Sequence, residues 1–172
     1  MKKLTVLLLA AATLAACTEK REQLLTGNWH AVNQKIPTLD SMLKIRDQFL
    51  DTVGQNTTPE QELELYGSSN IDSLIREENV AMDLLMKQQK EYLEATRLEF
   101  RNDGVVVFNL MGRVDSASWS LVEGNELLFD EIKLKGAGDK TTLQVEALTA
   151  DSMALSFSLD DFTSTISFRK DK

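Results

Sequence analysis

The chain has 172 residues, of which 27 are acidic and 19 basic, with one His, one Cys and two Pro. That length favours one domain, and 42% hydrophobic content supplies a real core, which argues against a disordered chain, a solenoid or a multi-pass membrane protein. A formal charge of −8 argues against a nucleic-acid partner, because counterion release needs a concentrated basic surface; one His and one Cys leave no Cys/His zinc set, no internal disulfide and little scope for thiol or imidazole catalysis.

The chain starts with Lys2 and Lys3, an apolar run from Leu4 through Leu14, and small residues before Cys17. Such a run is too short for ~30 Å of hydrocarbon and has the layout of a secretory signal. Its ending, Leu14-Ala15-Ala16-Cys17, resembles the lipobox of bacterial lipoproteins. The resemblance implies that residues 1–16 are removed and that Cys17 carries acyl chains, of which palmitate is one, on its sulfur and its new amino terminus. An ordinary signal cleavage would instead leave an unpaired thiol in an oxidising compartment. Loss of Lys2 and Lys3 moves the formal charge from −8 to −10. An anionic surface repels such a body, so acyl chains worth ~0.8 kcal/mol per buried methylene must do the anchoring. Thr18 stands where an inner-membrane retention signal of the enteric type would resemble Asp, which points to the outer membrane. The stretch Thr18-Glu19-Lys20-Arg21-Glu22 lacks the acidic run that resembles a surface-export signal in gut Bacteroidetes lipoproteins, which points to the periplasmic face without excluding surface exposure.

Residues 17–26 read as a lipidated polar tether and 27–172 as the folded domain. The tether, counted over 18–26, reaches at most ~30 Å when extended. A first strand is predicted at 28–34. Then Leu39, Met42, Leu43, Phe49, Leu50 and Val53 recur at helical spacing and Gly54 supplies a stop. Thr58-Pro59-Glu60-Gln61 predicts an N-cap, a proline at the first helical position and a capping-box glutamine, and Gly67 ends that short helix. Ser69 or Asn70 opens a long helix to Ala95, roughly 39 Å at 1.5 Å per residue. Its apolar stripe is Ile71, Leu74, Ile75, Met82, Leu85, Met86 and Leu93. From residue 97 onward, dense turn signals separate period-two runs, such as Met153, Leu155 and Phe157 against Ala154, Ser156 and Ser158. The predicted strands are 97–101, 105–110, 114–122, 126–134, 141–148, 152–159 and 163–169. With the first they make eight half-buried antiparallel strands, and hairpin-length connections predict a meander closed into an up-and-down barrel. The fold class is thus mainly β with a helical insertion, an α+β chain whose insert 38–95 lies between strands 1 and 2.

Gly27-Asn28-Trp29 on the first strand and Arg169 on the last resemble the Gly-x-Trp signature of lipocalins. With the segments Phe100-Arg101-Asn102-Asp103-Gly104 and 119–127, the chain is similar to the lipocalin-like domains of Bacteroidetes lipoproteins over 27–35 and 97–170. The resemblance implies that Trp29 seals the closed end of the barrel beneath Arg169. It also implies that the connection carrying the helices lies at the open mouth, where residues 38–95 are expected with Met82, Leu85 and Met86 turned inward; the short tether joining the closed end to the lipid then predicts a mouth that faces away from the membrane. The chain departs from secreted lipocalins in having no Thr-Asp-Tyr motif and no disulfide.

Catalysis finds no constellation. His30 is predicted on the strand face opposite Trp29, as a structural side chain, and Asp151 and Asp160-Asp161 fall in turns where Asp favours local geometry. The chain reads as no enzyme, with no metal site and no cofactor. Large predicted interior residues, among them Phe100, Trp119 and Phe157, tilt an eight-stranded barrel toward filled. Two functions stand side by side. In one, the barrel binds a small apolar or amphipathic ligand at its mouth under a helical lid, with Met82, Leu85, Met86, Phe100, Trp119 and Phe157 as contacts. In the other, the barrel is filled and the helical insert is a contact surface for a protein partner.

Overall fold

The computed structural model describes residues 20–110, 112–122, 125–159 and 162–172. The leader 1–16, Cys17, Thr18, Glu19, Met111, Glu123, Gly124, Asp160 and Asp161 lie outside the described residues. Helix α1 spans 20–25, followed by β1 (Gly27–Lys35), α2 (Pro37–Thr52), α3 (Pro59–Tyr66) and α4 (Ile71–Ala95). Then come β2 (Arg97–Phe100), β3 (Val105–Leu110), β4 (Arg113–Val122), β5 (Glu126–Asp130), α5 (Glu131–Lys135), β6 (Lys140–Leu148), β7 (Ser152–Leu159) and β8 (Phe162–Lys170). Each strand pairs antiparallel with the next and β8 pairs with β1, so the eight strands close on themselves and no sheet edge is left open. This is the up-and-down barrel with helices between its first two strands that the alternation and turn spacing predict.

The residues divide into two compact units, the barrel with the last turn of α4, and Ile36–Glu91. Within the second, both prolines open helices: Pro37 begins α2 and Pro59 begins α3, where the missing N–H is no loss. The Thr58 capping box forms on both sides, and Asn70 Oδ1 accepts from Ser73 N–H at 3.0 Å to start α4. Arg46 of α2 donates to Asn79 Oδ1 of α4 at 2.6 Å, and Phe49 meets Tyr66 edge-on at 5.8 Å. No residue within α2, α3 or α4 is fully buried.

In the barrel, inward positions alternate as expected and build one core of Trp29, Leu98, Phe100, Val106, Phe129, Leu155 and their neighbours. Two bulges interrupt the alternation. One, between Ala31 and Asn33, leaves Val32 outside and turns Gln34 to the face of Ile166; the other, between Val145 and Ala147, returns Leu148 to the face of Met153. A strict period of two cannot show an inserted residue.

Three expectations need correction. The strand predicted at 126–134 ends at Asp130, and 131–135 is helical. The Ile132-Lys133-Leu134-Lys135 run alternates like a strand, but Asp130 Oδ1 accepts from Lys133 N–H at 2.8 Å and Gly136 supplies a left-handed stop at φ 79°, so the caps decide. The segment expected as a tether to residue 26 contains α1, whose Leu25 is wholly buried. Two adjacent leucines are too few to show a period. Finally, Arg169 does not meet Trp29. Register pairs Trp29 with Lys170 and His30 with Arg169, which turns Arg169 to the outer face.

Candidate functional site

Strand direction defines the two ends of the barrel. One end holds Gly27, the 101–104 and 149–151 turns and the C-terminus; the other holds Gly112 and α5. The first end is sealed. Trp29, with no exposed surface, donates its Nε1–H to Leu25 O at 2.7 Å, and Lys170 Nζ lies 5.1 Å from the Trp29 ring centroid while donating to Leu24 O at 2.9 Å. Arg21 donates to Asn125 Oδ1 and ties α1 to the β4–β5 hairpin. Gly27 has a positive φ of 126°, and a Cβ there would meet Lys170 Cε at 2.7 Å. Glycine at this position is what lets the Lys170 stem cross to the indole. Burial holds the Lys170 ammonium below its ordinary pKa.

Above the floor the interior is aromatic. Phe100 meets Trp119 edge-on at 5.3 Å and Phe129 at 6.0 Å, and Phe129 stacks on Phe108 at 5.8 Å. Partly buried apolar side chains occur toward both ends, Trp119, Leu121 and Leu148 near the first and Leu110, Phe157 and Ile166 near the second. Toward the second end Gln34 Nε2 donates to Ser164 Oγ at 2.9 Å. This distal half combines apolar walls with one polar pair.

The rim of that end is charged. Asp115 pairs with Phe108 across β3 and β4 and therefore shares its inward face; Arg113, two residues earlier, continues the same face to the edge. Helix α5 packs on β4 and brings two more charges. Lys135 binds Asp115 and lies 3.4 Å from Glu131, while Arg113 lies 3.1 Å from Asp115 and 4.0 Å from Glu131. The Lys135 hydrogen bond, then that of Ser116 N–H, lowers the Asp115 carboxyl from 3.8 to about 2. Asp115 in turn raises Lys135. At the base of α5, Lys140 pairs with Asp130 at 2.8 Å and, with the Lys133 amide, lowers that carboxyl too.

A shallow groove of about 270 Å³ lies on the outer wall, bordered by Asn28, Arg97, Glu99, Asn109 and Asp171. Its charges are engaged locally: Arg97 donates to Glu94 O at 2.7 Å, Glu99 pairs with Arg101 at 2.8 Å, and Asp171 meets His30 at 2.5 Å. His30 is thus an outward side chain that fastens the C-terminal tail.

The candidate ligand contacts therefore separate. Phe100 and Trp119 come together, but at the sealed end: Phe100 pairs with Gly27, and Trp119 Nε1–H donates to Arg101 O at 3.3 Å. Phe157 lies in the distal half, 5.8 Å from Phe162. Met82 is half-buried, whereas Leu85 and Met86 are exposed, all three within the helical unit. Sequence reasoning missed Lys170, Asp115 and the α5 charges. The Asp130-to-Gly136 cap pair was the signal that could have located α5.

No family model matches the chain, and no curated protein matches it. Among solved structures it is similar to the crystal structure of a lipocalin-like protein from Bacteroides uniformis ATCC 8492, at 20% identity over 45% of this chain and 80% of that one, with a TM-score of 0.29. At that score the barrel assignment stands on the strand pairings of this chain alone.

Proposed function

We propose that the chain is a lipid-anchored binding barrel that takes a small apolar or amphipathic ligand into its distal half. The observation that carries this reading is the contrast inside the barrel. Near the sealed end Trp29, Phe100, Leu127 and Met153 are fully buried, with Trp119, Leu121 and Leu148 partly so, while toward the distal end Leu110, Phe157 and Ile166 are only partly buried and Gln34 bonds the buried Ser164. An eight-stranded barrel has room for packed side chains or one small ligand, and here the fully buried apolar side chains lie mostly toward one end. The reading is non-catalytic, with no cofactor. In it, Cys17 is the acylated residue, on the outer membrane and facing the periplasm.

Native mass spectrometry of the delipidated protein tests it. A co-purified small molecule, lost when Phe157 or Ile166 is changed to Asp, is the expected result; a ligand-free spectrum together with no uptake of a neutral apolar fluorophore overturns it.

A second reading has its own observation. The helical unit leaves Met42, Ile45 and Val80 about two-thirds exposed, at 67%, 65% and 64%, which suits a protein-contact surface. Charged substitutions at Met82 and Met86 separate the readings. Loss of small-molecule binding makes the insert part of the ligand site, and loss of a defined protein complex makes it a platform.

A further inference from the structure

The α5 segment is built unlike the fully described turns at 101–104 and 149–151. It is a single helical turn and a half capped by Asp130 and Gly136, followed by Gly138 at φ 112°. Lys133 is exposed, but Glu131 and Lys135 are paired at the rim. They reach Asp115 and Arg113, which pairing places on the inward face at the rim. Asp115 stands directly across from Phe108, and Phe129 is the residue before the α5 cap, so the Phe108–Phe129 stack is flanked by the groups that hold α5 down. Gly138 packs so closely on Glu131 that a Cβ would meet its side chain at 2.3 Å.

We infer that α5 is a hinged cover over the distal half of the barrel, held shut by the Asp115, Lys135, Glu131 and Arg113 cluster, and that its opening admits an uncharged apolar or amphipathic ligand to the Phe108–Phe129 stack. This rests on the ligand-binding reading above and names the gate and the ligand class. Two cations and two carboxylates already pair with one another at the rim, so this cluster presents no surplus charge to hold an ionic headgroup. The Gln34–Ser164 pair supplies a hydrogen-bonding end instead. The latch pairs are partly solvated, which makes them weak enough to open and sensitive to salt.

The test uses wild type, Asp115→Asn, Lys135→Met and, as a control ion pair at the sealed end, Arg101→Gln. Hydrogen exchange of the Lys133, Lys135 and Gly136 amides reads the cover directly. Stopped-flow association of the neutral fluorophore N-phenyl-1-naphthylamine reads the gate. The two latch variants should lose at least about tenfold of α5 protection while β7 and β8 keep theirs, because a local opening is being released and not the whole fold. Their association rates should rise about fivefold or more, as the open population grows. Wild type in molar salt should move the same way, and Arg101→Gln should not. Unchanged α5 exchange in both variants, or faster exchange with unchanged association rates, overturns the gate while leaving the ligand reading standing. Failure of the fluorophore to bind any form overturns the ligand reading and the gate with it.

Discussion

Replacing Trp29 by Ala tests the sealed end of the barrel. The side chain has no exposed surface, its Nε1–H lies 2.7 Å from Leu25 O, and Lys170 covers its ring at 5.1 Å. Truncating a buried aromatic side chain costs ~3–5 kcal/mol through lost transfer energy and the cavity left behind. Within that total, an orphaned Leu25 carbonyl accounts for ~1–3 kcal/mol and a partly desolvated cation–π contact for ~0.5–2 kcal/mol. Trp29→Phe keeps most of the ring and loses the donor, so its cost should be ~1–2 kcal/mol. Arg169→Ala, on the outer face, should stay within about 0.5 kcal/mol. Urea unfolding followed by far-ultraviolet circular dichroism, with equal m-values across the set, measures all three. A Trp29→Ala cost below about 1 kcal/mol, or an Arg169→Ala cost as large as that of Trp29→Phe, would refute the assignment of Trp29 and Lys170 as the seal.

Three further outcomes are expected. Gly138→Ala should destabilise the α5 turn by ~1–3 kcal/mol, since it adds positive-φ strain to a clash with Glu131; an unchanged unfolding midpoint would contradict the packing. The Asp115 carboxyl is lowered from 3.8 to about 2 in the folded protein, so its contribution is complete above the ordinary value and is lost as pH falls through about 2. Asp130 is also lowered, by Lys140, and acts with the same sign, so the part of the acid transition that disappears in Asp115→Asn is the latch's own share. Cys17→Ser should abolish incorporation of labelled palmitate and release the protein from membranes; continued membrane fractionation would remove the lipid-anchor proposal.

Much of this architecture was legible in the chain itself. Period-two runs bounded by turn residues predict eight strands, because a half-buried strand must alternate its faces, and short connections leave antiparallel neighbours as the only pairing. Pro37, the Thr58 capping box and Gly54 mark helix ends by local chemistry that needs no tertiary partner. Even the choice of Trp29 as an anchor follows from a large apolar ring at the head of the first strand. What local pattern could not decide is which residue stands across from which. Register sets Lys170 across from Trp29 and Arg169 across from His30, and the bulge after Ala31 turns Gln34 inward toward Ser164. Register also sets Asp115 on the same face as Phe108, where α5 can reach it. These pairings join residues far apart in the chain and are fixed only when the barrel closes, so tertiary structure alone decided where the Lys170 seal, the Gln34–Ser164 pair and the charged rim would lie.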